Sequence, residues 1–510
     1  MLFYILVPII FAVLVGTFCL VKYLKFNGNE KFDKVVNIIL KVAVCTYCAL
    51  MLLSILLPDS FALCLSKEEL GSGMSQGMAV LRWFASVAFV VLPIAIFYKN
   101  RTIRNIAIYF CFAVSIAQIA CYSSYLAEFT GEAGRGLNSL PVSDGFKAFM
   151  LNPTFRGIWF GIIMVLQMTI PVVLAIQEKH VFDVKNGKEW GYFFLCLPLI
   201  ILSVIPTYVP QYLFGYSNVV FEAYSWIHFL WIFCMIGEIA AIYFIFRKKG
   251  KENQMILLFV LALSLLMQYN SLFGIISLNI KRLPLQLCNI GAYLVIISLI
   301  TKNKKIFNFT VIINVVGVLM AIAMPDLDGK GFFYLYNMHF ILEHTNVLVV
   351  PVLALMFGIF PRLDKYALRD CIVGFTIYFV SVWALGTMFN AIALKTGNGF
   401  WSANYMFMFD AVAGEKLLPF TKALFAINFK IGYGTFYPVL QILIYIIFSL
   451  VCVGLYYAIR LIYLVKDKIV AKRAAKVATA STAQDCEQIK IEEVSAETAE
   501  PQQNEKSDDR

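Results

Sequence analysis

Charge is scarce in this sequence for its length. Asp, Glu, Lys and Arg together make up 14% of 510 residues against 61% hydrophobic residues, and the mean hydropathy is +0.78. A water-soluble chain of this size carries far more surface charge, so a soluble enzyme or binding module is excluded for most of its length. Histidine is scarcer still, at four residues, which leaves few candidates for acid–base or metal chemistry. Also missing are the ten-residue segments of alternating polarity that mark a membrane β-barrel. The twelve cysteines lie mostly in apolar runs with no framework of paired external positions, so no structural disulfide is expected.

What is present is a series of apolar runs of about 20 residues, each long enough to cross a ~30 Å hydrocarbon core. They fall near 3–23, 35–57, 78–98, 103–123, 157–177, 190–210, 222–246, 254–277, 284–301, 305–324, 338–359, 371–392 and 435–463. Backbone groups in lipid must be satisfied within the segment, so these runs predict helices. The expectation is an all-α polytopic membrane protein of about 13 transmembrane helices. The first run starts at residue 2 without a basic leader or a small-residue cleavage site, so it is expected to be retained.

Lys and Arg collect in every second loop, for example Lys22, Lys25, Lys31 and Lys34, then Arg247, Lys248, Lys249 and Lys251, then Arg362, Lys365 and Arg369. The positive-inside rule then places the N-terminus outside and the C-terminus in the cytoplasm, with the plasma membrane as the expected location. The net charge of +11 is thereby a topology signal, and nucleic acid is not an expected partner. From about residue 466 the composition turns to Ala, Glu, Gln, Lys, Ser and Asp, which predicts a disordered cytoplasmic tail over 466–510. Its basic start, from Lys466 to Lys476, suits either a stop-transfer flank or contact with anionic headgroups.

The sequence also resembles itself. Ile306-Phe307-Asn308 and the lysines before it match Ile103-Arg104-Asn105 at an offset of 203, and Pro351-Val352-Leu353 matches Pro171-Val172-Val173 at an offset of 180. Two tandem six-helix repeats in parallel orientation, closed by a thirteenth helix, are therefore expected: 1–221 as a degenerate first copy and 222–465 as the second. Chance similarity among apolar helices is the competing explanation. The copies differ in their reactive residues, because Cys288, Asp326, His339 and His344 correspond to Ala85, Ser123, Trp159 and Met164. His228 also lies in the second copy. Ionisable residues at membrane depth are costly, so such a set is a site hypothesis.

With Pro284 opening the ninth helix, Cys288 is expected ~6 Å along it; with Asn337 capping the eleventh, His344 is expected ~10 Å along that one. His339 and His344 are five residues apart and point ~140° from each other, unlike the i, i+4 spacing of helical zinc ligands, so neither a metal nor another cofactor is expected.

Leu283-Pro284-Leu285-Gln286-Leu287-Cys288-Asn289-Ile290, then Met338-His339-Phe340-Ile341-Leu342-Glu343-His344, then Ala403-Asn404-Tyr405-Met406-Phe407 resemble the signature positions of the YwaF / transmembrane protein 164 family. Ser225-Trp226-Ile227-His228 resembles its early histidine, and the resemblance covers about 222–463. It implies cysteine-dependent phospholipid acyl transfer or lipid hydrolysis, with Cys288 as nucleophile and a histidine of the eleventh helix as base, His344 favoured and His339 the alternative. Asp326, or Asp328 beside it, is a candidate to orient the histidine. Lys281 and Arg282 are placed to hold a phosphate, and Asn404 and Tyr405 to donate to a headgroup or oxyanion. Each residue also has a plainer role: cysteine as packing, histidine as interhelical hydrogen-bonder, Lys281 and Arg282 as interface anchors. Two further functions suit the same chain. One is a transporter or flippase built on the repeats, with Glu238 and Glu343 as its buried charges; the other is a non-catalytic scaffold.

Overall fold

A computed structural model describes residues 2–54, 73–121, 143–178, 186–215, 217–276, 280, 283–323, 325, 331–409 and 421–497. Almost all of them are helical. In chain order the long helices are α1 (Leu2–Leu20), α2 (Glu30–Leu53), α3 (Gly73–Phe97), α4 (Arg101–Ala120), α5 (Pro153–Glu178) and α6 (Gly187–Ser203). They continue with α7 (Trp226–Phe246), α8 (Lys251–Ile276), α9 (Leu287–Thr301), α10 (Lys304–Ala323), α11 (Leu335–Met356), α12 (Ala367–Thr396) and α13 (Pro438–Glu497). Among the described residues the sheet structure is a two-stranded antiparallel hairpin, β1 (Phe429–Ile431) with β2 (Gly434–Phe436), and one isolated bridge between Val220 and Gly331. The protein is an all-α polytopic membrane protein.

Every expected span has its helix, and among the described residues eleven are long and apolar enough to cross a membrane. The two that fall short are α6 and α9, with 17 and 15 residues, or about 26 and 22 Å against a ~30 Å core. α6 stops at Ser203 because Pro206 follows and cannot continue a helix. α9 starts late: Pro284 lies in a turn, not at the first helical position, and the N-cap is Gln286. A third difference lies at the C-terminal end. Where composition predicted disorder from 466, helix continues to Glu497, consistent with the high helix propensity of its Ala, Lys, Glu and Gln.

Helix starts follow the polar residues that precede them. Asn29, Asn100, Asn152 and Asn303 each accept first-turn backbone N–H groups of α2, α4, α5 and α10 with their side-chain oxygens. Ser225 does the same for α7 and Asp364 for α12, accepting from Tyr366 and Ala367 at 3.0 and 3.1 Å.

Residues Met1–Cys452 form one compact unit and Val453–Arg510 a second. Within the first, helix neighbours repeat. α1 packs on α5 as α7 packs on α11; α2 on α3 and α5 as α8 on α9 and α11; α3 on α4 and α5 as α9 on α10 and α11; α4 on α5 and α6 as α10 on α11 and α12. The two sets meet where α3 and α6 lie against α8, and there Gln268 donates to the Ser203 carbonyl at 2.9 Å while Ser203 and Ser264 share a hydrogen bond. Inside the first set, Tyr47, Gln167 and Gln118 form a buried chain of hydrogen bonds across α2, α5 and α4.

Candidate functional site

The late start of α9 makes Cys288 its second residue, at the end where backbone N–H groups lack intrahelical partners and the helix dipole is positive. Its thiol donates to the Asn289 side-chain oxygen at 3.2 Å. Cys288 is partly exposed, and its backbone faces Gly317 of α10, where an added Cβ would sit at ordinary van der Waals distance.

The turn before α9 is clamped from two sides. Tyr378 of α12 donates to the Leu285 carbonyl at 2.7 Å. Gln286 reaches the segment after α12 with both ends of its amide, donating to the Asn404 carbonyl at 3.3 Å and accepting from the Met406 N–H at 3.1 Å. That segment is held in turn by Asn390, which exchanges two hydrogen bonds with the Ala403 backbone at 2.8 and 3.0 Å. Met406 and Phe407 both adopt positive φ (52° and 57°), a conformation that non-glycine residues keep only when their surroundings impose it.

Asn404 and Tyr405 lie beside the cysteine turn, and part of their hydrogen-bonding capacity is used within the fold. The Asn404 side-chain oxygen accepts from the Phe409 N–H at 2.9 Å. Tyr405 is fully buried and donates its hydroxyl to the Ile280 carbonyl, so this donor is committed to the fold and not left for a headgroup or oxyanion. Asp326, Asp328, Lys281 and Arg282 lie outside the described residues, as does His180.

On α11 the two candidate histidines take different faces. α11 begins at Leu335, and Asn337 donates to the Gly331 carbonyl where a cap had been expected of it. His344 is buried; its Nδ1 lies 2.7 Å from the Phe340 carbonyl and its ring is 4.4 Å from that of Phe340. The Phe340 ring is 5.5 Å from Trp231 of α7. His339 instead pairs with Glu343, Nε2 to Oε2 at 2.9 Å, one helical turn apart, with the carboxylate side chain only 3% exposed. The His339 ring lies 5.8 Å from Tyr269 of α8. Tyr269 also meets the ring of Tyr293 on α9, and α9 packs against both α8 and α11.

The carboxylate beside the histidines is thus Glu343, which sequence reading had considered only as a transporter charge. Its signal was visible: His339 and Glu343 are four apart, the spacing at which helical side chains meet. Glu343 Oε1 and His339 Nδ1 are both buried without a hydrogen-bond partner, which marks the pair as more than packing.

His228 sits apart from this group. It is buried at the start of α7, where Nδ1 accepts the Tyr224 backbone N–H at 3.0 Å, so in the neutral ring the proton is on Nε2. Its ring stacks on Trp231 at 5.7 Å, and Trp231 donates to Thr345 of α11. The Tyr224 hydroxyl donates to the Ala323 carbonyl at the end of α10.

Residues 223–457 match the sequence model of the TMEM164 family. Over that range the chain is similar to the TMEM164 family. No curated protein and no solved structure matches the chain. The matched range takes in α7 to α12 and the start of α13, and so holds every site element described above, while α1 to α6 lie outside it. Within the matched range the Leu283–Asn289 turn is bonded to Asn404 and Met406, and α9 packs against α11.

Proposed function

We propose that the TMEM164-like region performs cysteine-dependent acyl chemistry on membrane phospholipid, by acyl transfer or hydrolysis. The observation that carries this reading is that α9, with Cys288 at its N-terminal turn, packs against α11, which holds His344 and the hydrogen-bonded pair of His339 with the buried Glu343 carboxylate. The thiol proton passes to the α11 imidazole and the Cys288 sulfur attacks an ester carbonyl of the lipid. The ester C–O bond breaks, the lysophospholipid oxygen takes the proton back from the imidazolium, and a thioester remains. An alcohol, amine or water then attacks the thioester, returning the thiol. A thiolate is the competent nucleophile, and a helix N-terminus favours its formation. These steps use the chain's own groups.

The distribution of Lys and Arg supports the N-terminus outside and the starts of α7, α9 and α11 at the external leaflet, where phospholipid esters lie. The shared helix-neighbour pattern supports two repeats in the same orientation, with chemistry kept in the second copy because Ala85, Trp159 and Met164 occupy the matching positions of the first.

The test is turnover of acyl-labelled phosphatidylcholine by the purified full-length chain in nanodiscs. Cys288→Ala should lower release or transfer of the label by about 10²-fold or more, and wild type should accumulate a labelled thioester at Cys288. Turnover that survives Cys288→Ala would end the proposal, and substrate-dependent uptake that survives it would establish the transporter in its place.

A further inference from the structure

Four contacts set the register between α12 and α13. Trp383 donates to the Gln441 side-chain oxygen at 2.9 Å, Thr376 and Tyr445 share a hydrogen bond of 2.8 Å, and the Phe375 ring lies 5.6 Å from that of Tyr445 and 6.1 Å from that of Phe448. Each step back along α12 is met by a step forward along α13, so the two helices run antiparallel. On α13 the contacting residues fall at 441, 445 and 448, the spacing of a single helix face. Four residues beyond Phe448 on that face is Cys452, and four residues before Phe375 on α12 is Cys371. The register therefore sets the two cysteines opposite each other, and their thiols are hydrogen-bonded to one another. Both are free and fully buried.

We infer that Cys371 and Cys452 are an oxidation site, at which a small uncharged peroxide closes an interhelical disulfide between α12 and α13. The site is separate from Cys288 and stands whether or not the acyl chemistry does. A buried cysteine by itself is inert packing. A second thiol in contact with it changes its chemistry, because it is in place to resolve the first oxidation product.

The Sγ of one cysteine attacks a peroxide oxygen. An S–O bond forms as the O–O bond breaks, and the thiol proton leaves with the departing hydroxide as water. The second Sγ then attacks the sulfur of the sulfenic acid, forming the S–S bond, breaking the S–O bond and releasing a second water. Two thiols are oxidised and one peroxide is reduced. The surroundings select the oxidant. Val373 and Ile377 of α12 and Leu450 and Val451 of α13 are exposed in the protein alone, so the pair is walled from its surroundings by side chains that suit lipid. A charged oxidant would have to enter hydrocarbon to reach it, which is costly. Closing the disulfide would fasten α13 to the helix whose Tyr378 holds the Leu285 carbonyl in the turn before Cys288.

For the test, the full-length chain in nanodiscs is treated with hydrogen peroxide, remaining thiols are blocked with N-ethylmaleimide in denaturant, and an unreduced digest is read by mass spectrometry. The expected product is a peptide pair joined through Cys371 and Cys452 and released by dithiothreitol. Oxidised glutathione at equal concentration should give at least about tenfold less of it. The thermal midpoint should rise on peroxide treatment and return with dithiothreitol, because the cross-link constrains the unfolded chain. In Cys452→Ser, Cys371 should be recovered as sulfinic or sulfonic acid, since no thiol intercepts the sulfenic acid. Recovery of both cysteines as free thiols at a peroxide dose that oxidises Cys45 or Cys234, which are exposed, would overturn the inference and leave the pair as packing. A cross-link formed equally well by oxidised glutathione, or one joining Cys371 to a third cysteine in wild type, would also overturn it. The wild-type digest needs no variant, so a serine variant that fails to fold still leaves the question decided.

Discussion

At the scale of single residues, the polar side chains fall into those that hold the backbone and those left with capacity for chemistry. Tyr405 belongs to the first group, since its hydroxyl is donated to the Ile280 carbonyl in a fully buried position. Tyr405→Phe should therefore lower the thermal midpoint, by the loss of about 1 kcal/mol for one hydrogen bond, and leave lipid KM unchanged. A rise in KM without loss of stability would assign Tyr405 to the substrate instead. Asp364 is a second structural case, placed outside the spans. The Lys304 ammonium, 2.5 Å away, and the N–H groups of Tyr366 and Ala367 hold its carboxyl below the ordinary carboxylate range. The charged form is thus favoured by folding, so its contribution is present above about pH 4 and fades as pH falls through the lower folded value. The side chain is 38% exposed, so the effect is small. Asp364→Asn keeps a capping oxygen while removing the charge, and should flatten the fall in thermal midpoint between about pH 5 and 3.

At the scale of helices, close approach between α9 and α10 depends on one missing side chain. The Asn314 amide occupies the space that a Cβ on Gly291 would fill, and it bonds from there to the Val347 carbonyl of α11. Gly291→Ala should push the amide aside and destabilise the protein by about 1–3 kcal/mol in a denaturation series. Combined with Asn314→Ser the loss should be less than additive, because both changes act on one contact. The segment after α12 makes a parallel case. Gln286→Ala removes both bonds that tie Asn404 and Met406 to the start of α9. Amide hydrogen exchange should then rise over 403–409 and stay unchanged in the middle of α12. A uniform rise across the matched region would show that the clamp supports the whole bundle.

At the scale of the molecule, hydrophobic burial between helices is only part of the story, since large side chains such as Phe194, Phe233, Ile300 and Leu450 are strongly exposed in the protein alone. They suit a lipid solvent. The proposed orientation puts the α7–α8 connection in the cytoplasm and the residues after α12 outside. In intact cells, an impermeant maleimide should label a cysteine introduced at Asn398 and leave one at Lys249 unlabelled until the membrane is opened. The reverse pattern would invert the topology and move the proposed chemistry to the inner leaflet.

The linear order of residues was enough to determine the class of fold and the positions of the thirteen helices. Both rest on a local property, the length and polarity of apolar runs. The late start of α9 was not legible, because Pro284 suits a turn as well as a first helical position, and only the bonds from Tyr378 and Gln286 decide between them. Nor was the occupied hydroxyl of Tyr405, whose acceptor lies 125 residues away in sequence. The spacing of His339 and Glu343 was there to be read, but which face of α11 meets α8 and α9 depends on how three helices pack. Helical period fixes angles within an element, and only tertiary contacts fix the direction in which that element points.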